Sequence, residues 1–278
     1  MIQSLLRKSV ALVPWRWRTA IKRVPLVAPL QRWLLARFLE KREFVHTVDA
    51  GPARGLRYPI TLPDDKGIWT GTYESDLATR VAAATRRDEP ALDIGGWRGF
   101  FGGVMALAGA SRVHIFEPMP ANCAQIRRMI ELNPVLPIEL VEAAVSDAEG
   151  SLEFVLMPES SMGKLTTSSF QQENQSGRRI QVRTVSLDAL LAAGRIQPPS
   201  VIKIDVEGAE LLVLRGALNL LATHRPTLFM ETHSTELARD CRALLEQTGY
   251  DVRVLERNVR DICHFHAQPK SSGEEGSR

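Results

Sequence analysis

Asp93-Ile94-Gly95-Gly96-Trp97-Arg98-Gly99 and Ile202-Lys203-Ile204-Asp205-Val206-Glu207-Gly208-Ala209-Glu210 are read together. Each begins as an apolar strand, runs into a tight polar turn and opens a helix. In an open α/β sheet such strand ends meet at the crevice where ligands bind. The first turn carries glycines, which admit unusual backbone angles and let a ligand approach the main chain. The second sets an acid, Asp205, beside that approach.

Working outward, strands and helices alternate. Strands are expected at Ala91–Ile94, Arg112–Phe116, Ile138–Val145, Val201–Ile204, Thr227–Met230 and Asp251–Leu255. Helices are expected at about Phe100–Ala108, Pro120–Leu132, Ala209–Leu221 and Thr235–Thr248. An added strand, Ser151–Leu156, follows the Asp147–Gly150 turn, and Ile262–Ala267 closes the sheet. Units of this length in alternation predict an α/β fold with a mostly parallel sheet, helices on both faces and an antiparallel closing strand.

Upstream, residues 44–66 alternate like strands around turn glycines and read as a small β-hairpin. Residues 1–43 hold ten bases and only two acids, Glu40 and Glu43, interleaved with Trp15, Trp17 and leucines. That pattern fits either a basic helical extension capping the domain or a segment lying on an anionic membrane surface. Pro14, Pro25 and Pro29 cut it into short pieces. Pro158–Gln181 is rich in Ser, Thr, Gln and Gly and reads as a flexible insertion, lid-like or disordered. Residues 268–278 read as an unstructured polar tail, so the main domain is bounded at 67–267.

Bulk properties exclude several classes. A net charge of +3 over 278 residues gives no reason to expect nucleic acid. Cys123, Cys241 and Cys263 lack disulfide-framework or zinc spacing, which suits a reducing cytoplasm. No apolar run is long enough to span a bilayer, and no secretory signal is read. The expected location is cytoplasmic, with peripheral contact at the inner membrane as the second reading of the N-terminus. Oligomeric state is left open.

A dinucleotide fingerprint fails, because Trp97 stands where the second glycine of G-x-G-x-x-G is needed. The D-x-G-x-x-x-G spacing of Asp93, Gly95 and Gly99 looks instead like an S-adenosylmethionine loop. Glu117, ending the second strand in Phe116-Glu117-Pro118, is placed to accept both ribose hydroxyls, as the equivalent acid does in dinucleotide folds. With Gly71-Thr72-Tyr73-Glu74, Leu92–Gly95, Phe116–Pro118, Ala144–Asp147, Val185–Asp188 and Ile202–Glu210 in order, the chain resembles the FkbM-type family of S-adenosylmethionine-dependent methyltransferases. That resemblance implies a Rossmann-like class I methyltransferase sheet. It also implies cofactor-binding roles for Asp93, Gly95, Gly96, Gly99, Glu117, Asp147 and Glu74. One departure stands out: Gly95-Gly96-Trp97 replaces the family's Gly-Ala-Asn, putting an indole at the methionine end of the pocket.

The reacting centre is expected at the ends of the fourth and fifth strands. Asp205 is the first choice there, as base, substrate anchor or ligand, with Glu207 beside it. Glu210 is assigned to helix-dipole compensation. A buried Lys203 needs an acidic partner or faces substrate. Glu231 and His233 follow the fifth strand, and a histidine titrating near neutrality suits a base shared with Asp205. A metal on Asp205, Glu231 and His233 is weighed and set aside, so no metal is expected. The implied activity is O-methylation of a small molecule, namely a sugar, glycan precursor or secondary-metabolite hydroxyl. The alternatives are a nicotinamide-dependent dehydrogenase and a non-catalytic scaffold docking on membranes.

Overall fold

A computed structural model describes residues 43–156, 163–165, 179–257 and 262–270. The basic extension up to residue 42, most of the 158–181 insertion and residues 271–278 lie outside the described residues.

The chain enters through the expected hairpin, β1 (Glu43–Thr47) against β2 (Arg57–Thr61), paired antiparallel. Two helices follow, α1 (Lys66–Thr70) and α2 (Ser75–Ala84). The central unit then runs β3 (Ala91–Ile94), α3 (Phe100–Ala108), β4 (Val113–Phe116), α4 (Pro120–Leu132) and β5 (Ile138–Val141). A smaller sheet contains β6 (Ala144–Val145), β7 (Gly150–Leu156), β8 (Gly163–Leu165) and β9 (Arg179–Val185). After α5 (Leu187–Ala192) come β10 (Val201–Ile204), α6 (Glu210–Arg215), α7 (Leu218–His224) and β11 (Thr227–Thr232). The described chain ends with α8 (Thr235–Gln247), β12 (Tyr250–Arg257) and β13 (Cys263–Pro269).

The main sheet has the order β12-β13-β11-β10-β3-β4-β5. Strands β11, β10, β3, β4 and β5 pair in parallel, while β13 pairs antiparallel with both neighbours. This is the mostly parallel class I sheet expected from the sequence, except that β13 inserts between β11 and β12 rather than closing the edge. Chain order reverses between β3 and β10, so their C-terminal ends define the switch point where such folds bind ligands.

Alternation within the central strands sorts side chains between two cores. Leu92, Ile94, Ile202, Ile204, Leu228 and Met230 pack with α5 to α8 on one face. Ala91, Val113, Ile115, Val201 and Phe229 pack with α2, α3 and the hairpin on the other. Burying each large side chain contributes roughly 1.5–3 kcal/mol. By the same parity, Asp93 and Lys203, which are register partners, share the α3 face.

Four expectations need correction. The single strand at Ile138–Val145 is two: the chain bends at Glu142 and Ala143, and Ala144–Val145 leaves to pair with β9. Arg179–Gln181, assigned to the flexible insertion, opens β9, which pairs antiparallel with β7. The helix at Ala209–Leu221 breaks at Gly216, because the chain there packs on residue 146: a Cβ on Gly216 would stand 2.0 Å from the Ser146 carbonyl oxygen. Gln268 and Pro269, assigned to the tail, end β13.

Candidate active site

The donor side is built from the β3 turn. Gly95 has φ +76, and a Cβ there would lie 1.7 Å from the carbonyl oxygen of Asp205. Only glycine lets β3 and β10 end this close together. The Asp205 amide in turn donates to Ile94 O at 2.9 Å. The two segments singled out in the sequence are therefore in direct contact.

Gly95, Gly96, Trp97 and Glu117 line one cavity of about 280 Å³ together with Lys203, Asp205 and Glu207. Ala144, Val145, Leu152 and Phe154 of the smaller sheet form an apolar wall of the same cavity. Glu117 is held by main-chain donors: Oε2 accepts from Trp97 N and Oε1 from Met119 N, both at 2.9 Å. Burial pushes its carboxyl up to about 7, against those hydrogen bonds. A carboxylate has about four acceptor positions; Trp97 N, Met119 N and the Asn122 side chain use three, which leaves capacity for a hydroxyl donor.

Trp97 occupies the left-handed region at φ 49, which is uncommon for a bulky residue. Its ring stacks on Tyr73 at 5.7 Å, and the Arg98 guanidinium carbon lies 5.0 Å from the centroid of the Trp97 ring. Arg98 donates to both oxygens of buried Asp65 at 2.7 Å, tying the loop to α1. The sequence reading missed this pair, since nothing local links residues 65 and 98.

Not every residue assigned to the donor lines the cavity. Asp93 is fully buried and accepts from Gly102 N at 2.8 Å, so it anchors the start of α3 beneath the glycine turn. Gly99 caps α3 with φ 83. Asp147 is exposed and accepts from the Ser146 hydroxyl at 3.1 Å. Glu74, at the head of α2, belongs electrostatically with Lys203 and Asp205 rather than with the turn, and burial raises its carboxyl.

Parallel pairing of β10 with β11 brings the second group together. Lys203 is buried over the Phe101 ring, 5.1 Å away, and donates to Asp205 Oδ2 at 3.2 Å. Burial lowers the lysine, but Asp205, Asp93 and Glu74 more than reverse this, so it stays an ammonium. Burial likewise opposes ionisation of Asp205, yet Lys203 and His233 hold its carboxyl below the usual range.

His233 is also buried. Its Nδ1 stands 2.6 Å from Glu210 Oε1. Its Nε2 faces Glu207 Oε2 at 3.4 Å, Glu231 Oε1 at 3.5 Å and Asp205 Oδ1 at 3.6 Å. Burial pulls the imidazole down, but the Glu210 hydrogen bond and these carboxylates carry it up to about 9. This shift favours the imidazolium at neutral pH, whereas the sequence reading expects a base that titrates near neutrality. Burial and the Asp205 charge push Glu231 up to about 8. Glu210 stands in the first turn of α6, where the expected dipole compensation places it, and is also fully buried against the His233 ring.

The Methyltransferase FkbM domain profile matches residues 93–252, more than half of the chain. The match is to a methyltransferase domain rather than to the nicotinamide dehydrogenase weighed as an alternative. The chain is similar to the hexuronic acid methyltransferase AglP of Haloferax volcanii, 25% identical over 187 residues, covering 66% of this chain and 73% of that protein. Among solved structures, the methyltransferase FkbM of Methylobacillus flagellatus KT is similar at TM-score 0.46 and 14% identity, covering 87% of this chain and 59% of that one. Precorrin-6y C5,15-methyltransferase of Geobacter metallireducens GS-15 is similar at TM-score 0.44 and 13% identity, covering 70% and 87%. Among the described residues, no helix is long and apolar enough to cross a membrane.

Proposed function

The chain belongs to the FkbM methyltransferase family, and on that premise we propose that it moves a methyl group from S-adenosylmethionine to a hydroxyl oxygen of a sugar or sugar-derived acceptor. The observation that carries this reading is the contact between the Gly95 bend and Asp205 at the mouth of one cavity.

The residues present fit such a donor. Gly95 and Gly96 line the cavity without side chains, so a ligand there can approach their main chain. Glu117 takes a ribose hydroxyl, and the wall of Ala144, Val145, Leu152 and Phe154 suits a flat base. When bound, the donor supplies an electrophilic methyl carbon on a sulfonium, and the protein supplies position and electrostatics.

Asp205, ionised and fixed by Lys203, accepts a hydrogen bond from the acceptor hydroxyl and aims its oxygen along the line of displacement. His233, locked by Glu210, holds Asp205, Glu207 and Glu231 in place and balances part of their charge. Glu231 completes the proton-handling group. A carbohydrate acceptor is favoured by the relative named for hexuronic acid methylation.

Calorimetric titration with S-adenosylhomocysteine, followed by transfer from labelled S-adenosylmethionine to a panel of hexoses and hexuronic acids, tests the reading. Absence of homocysteine-product binding would overturn the donor assignment. Binding without transfer to any carbohydrate, but with transfer to an amine, would overturn the acceptor class.

A further inference from the structure

Asp205 follows the last residue of β10, while Glu231 lies within β11 and His233 directly follows it. Because β10 and β11 run in parallel register, with Ile204 opposite Met230, the three side chains meet at the C-terminal ends of these strands. One ligand-type atom from each lies within 4.8 Å of the others. The separations from His233 Nε2 are 3.5 Å to Glu231 and 3.6 Å to Asp205. Ligand atoms bound at about 2.1 Å around one ion stand about 3.0–3.5 Å apart. The two carboxylates are thus within a few tenths of an ångström of that spacing from His233, and the two side chains must close on each other from within 4.8 Å.

The surroundings have the organisation of an ion site. Glu210, fully buried, engages His233 Nδ1 at 2.6 Å, an arrangement that fixes the ring and turns Nε2 toward the carboxylates. Lys203 occupies Oδ2 of Asp205 and leaves Oδ1 facing the cluster. Asp205 and Glu207 also line the donor cavity, so the site opens where the acceptor must stand.

We propose that Asp205, Glu231 and His233 bind a divalent cation of the Mn²⁺ class, with an open position for the acceptor hydroxyl. One imidazole with two carboxylates suits a cation of intermediate hardness. On binding, the Nε2 lone pair enters coordination and any proton on that nitrogen passes to solvent. A hydroxyl on the open position is polarised by the ion's charge, which makes its oxygen easier to deprotonate. This goes beyond the methyl-transfer reading and runs against the sequence expectation of no metal.

The test uses the full chain, stripped with chelator and titrated with Mn²⁺ alone while free Mn²⁺ is followed by electron paramagnetic resonance. One ion per chain is expected. Asp205→Asn and Glu231→Gln should each abolish the uptake. Glu210→Gln, which acts through His233, should weaken it about 10–100-fold. Melting curves of each variant identify loss of fold, and adenosylhomocysteine calorimetry on the same samples reads the donor site separately. No uptake by the folded parent chain, or uptake unchanged in both ligand variants, overturns the proposal whether or not the homocysteine product binds.

Discussion

Gly95→Ala would place a methyl group where the carbonyl oxygen of Asp205 already stands. The new Cβ falls 1.7 Å from that oxygen and 2.7 Å from its carbon, both main-chain atoms that cannot rotate away. The left-handed φ adds a cost of about 1–2 kcal/mol for any L side chain. Relief of the overlap requires the ends of β3 and β10 to part, at roughly 1–3 kcal/mol. The sum, about 2–5 kcal/mol, corresponds to a fall of roughly 5–15 °C in melting temperature for a domain of this size.

Gly99→Ala is the internal control. It too has a left-handed φ, +83, but its Cβ would meet the terminal methyl of Met129 at 2.6 Å. A methionine end can move, so only the backbone cost of about 1–2 kcal/mol remains. Thermal unfolding and adenosylhomocysteine calorimetry on both variants should separate them. Gly95→Ala should lose both stability and donor affinity, and Gly99→Ala mainly the former. A Gly95→Ala protein that melts and binds like the parent would refute the claim that this contact builds the cleft.

Three further outcomes are expected. Glu117 accepts a ribose hydroxyl best when ionised, and its carboxyl sits at about 7. Adenosylhomocysteine affinity should therefore rise as pH increases through that value, and calorimetry of Glu117→Gln should show the slope gone. Asp205→Asn and His233→Ala should each lower turnover by about 100-fold or more while donor affinity changes little, as single-turnover transfer with labelled donor would show. Arg98→Ala leaves Asp65 buried without its cation, because the Asp65 side chain has no exposed surface. A loss of roughly 3–5 kcal/mol is expected by chemical denaturation.

Much of the fold could be read from residues alone, for physical reasons visible in particular elements. Helices α3 and α4 match their expected bounds because an apolar face and clear stops define them. Strands β3 and β10 match because short apolar runs end in polar turns. The split of β5 from β6 left no mark, since Ile138–Val145 is almost uninterruptedly strand-like. The alternation of Ile180, Val182 and Thr184 in β9 was a usable signal, masked by the polar stretch before it. The break at Gly216 depends on residue 146, and a helix pattern cannot report so distant a neighbour.

The candidate site shows the same division. The sequence places Asp205, His233, Glu231 and Lys203 near one another because strand ends in a parallel sheet converge. It cannot assign protonation. His233 is pushed toward the imidazolium by Glu210, twenty-three residues away, together with Asp205 and Glu207. Nor does the sequence report that strand parity turns Asp93 toward α3, or that the head of α2 brings Glu74 toward Lys203.

The surplus of acid around the cleft carries one more consequence. Asp205, Glu207 and Glu74 outnumber the cationic Lys203 and His233, while Glu231, pushed up to about 8, adds no full charge at neutral pH. A pocket with that imbalance holds a positively charged sulfonium more firmly than the uncharged thioether left after transfer. On the proposed methyl transfer, the spent donor would lose that attraction, which would ease product inhibition without a moving part. Neutralising Glu207 and Glu74 together should narrow the gap between the two affinities, and the enzyme should stall sooner as thioether accumulates.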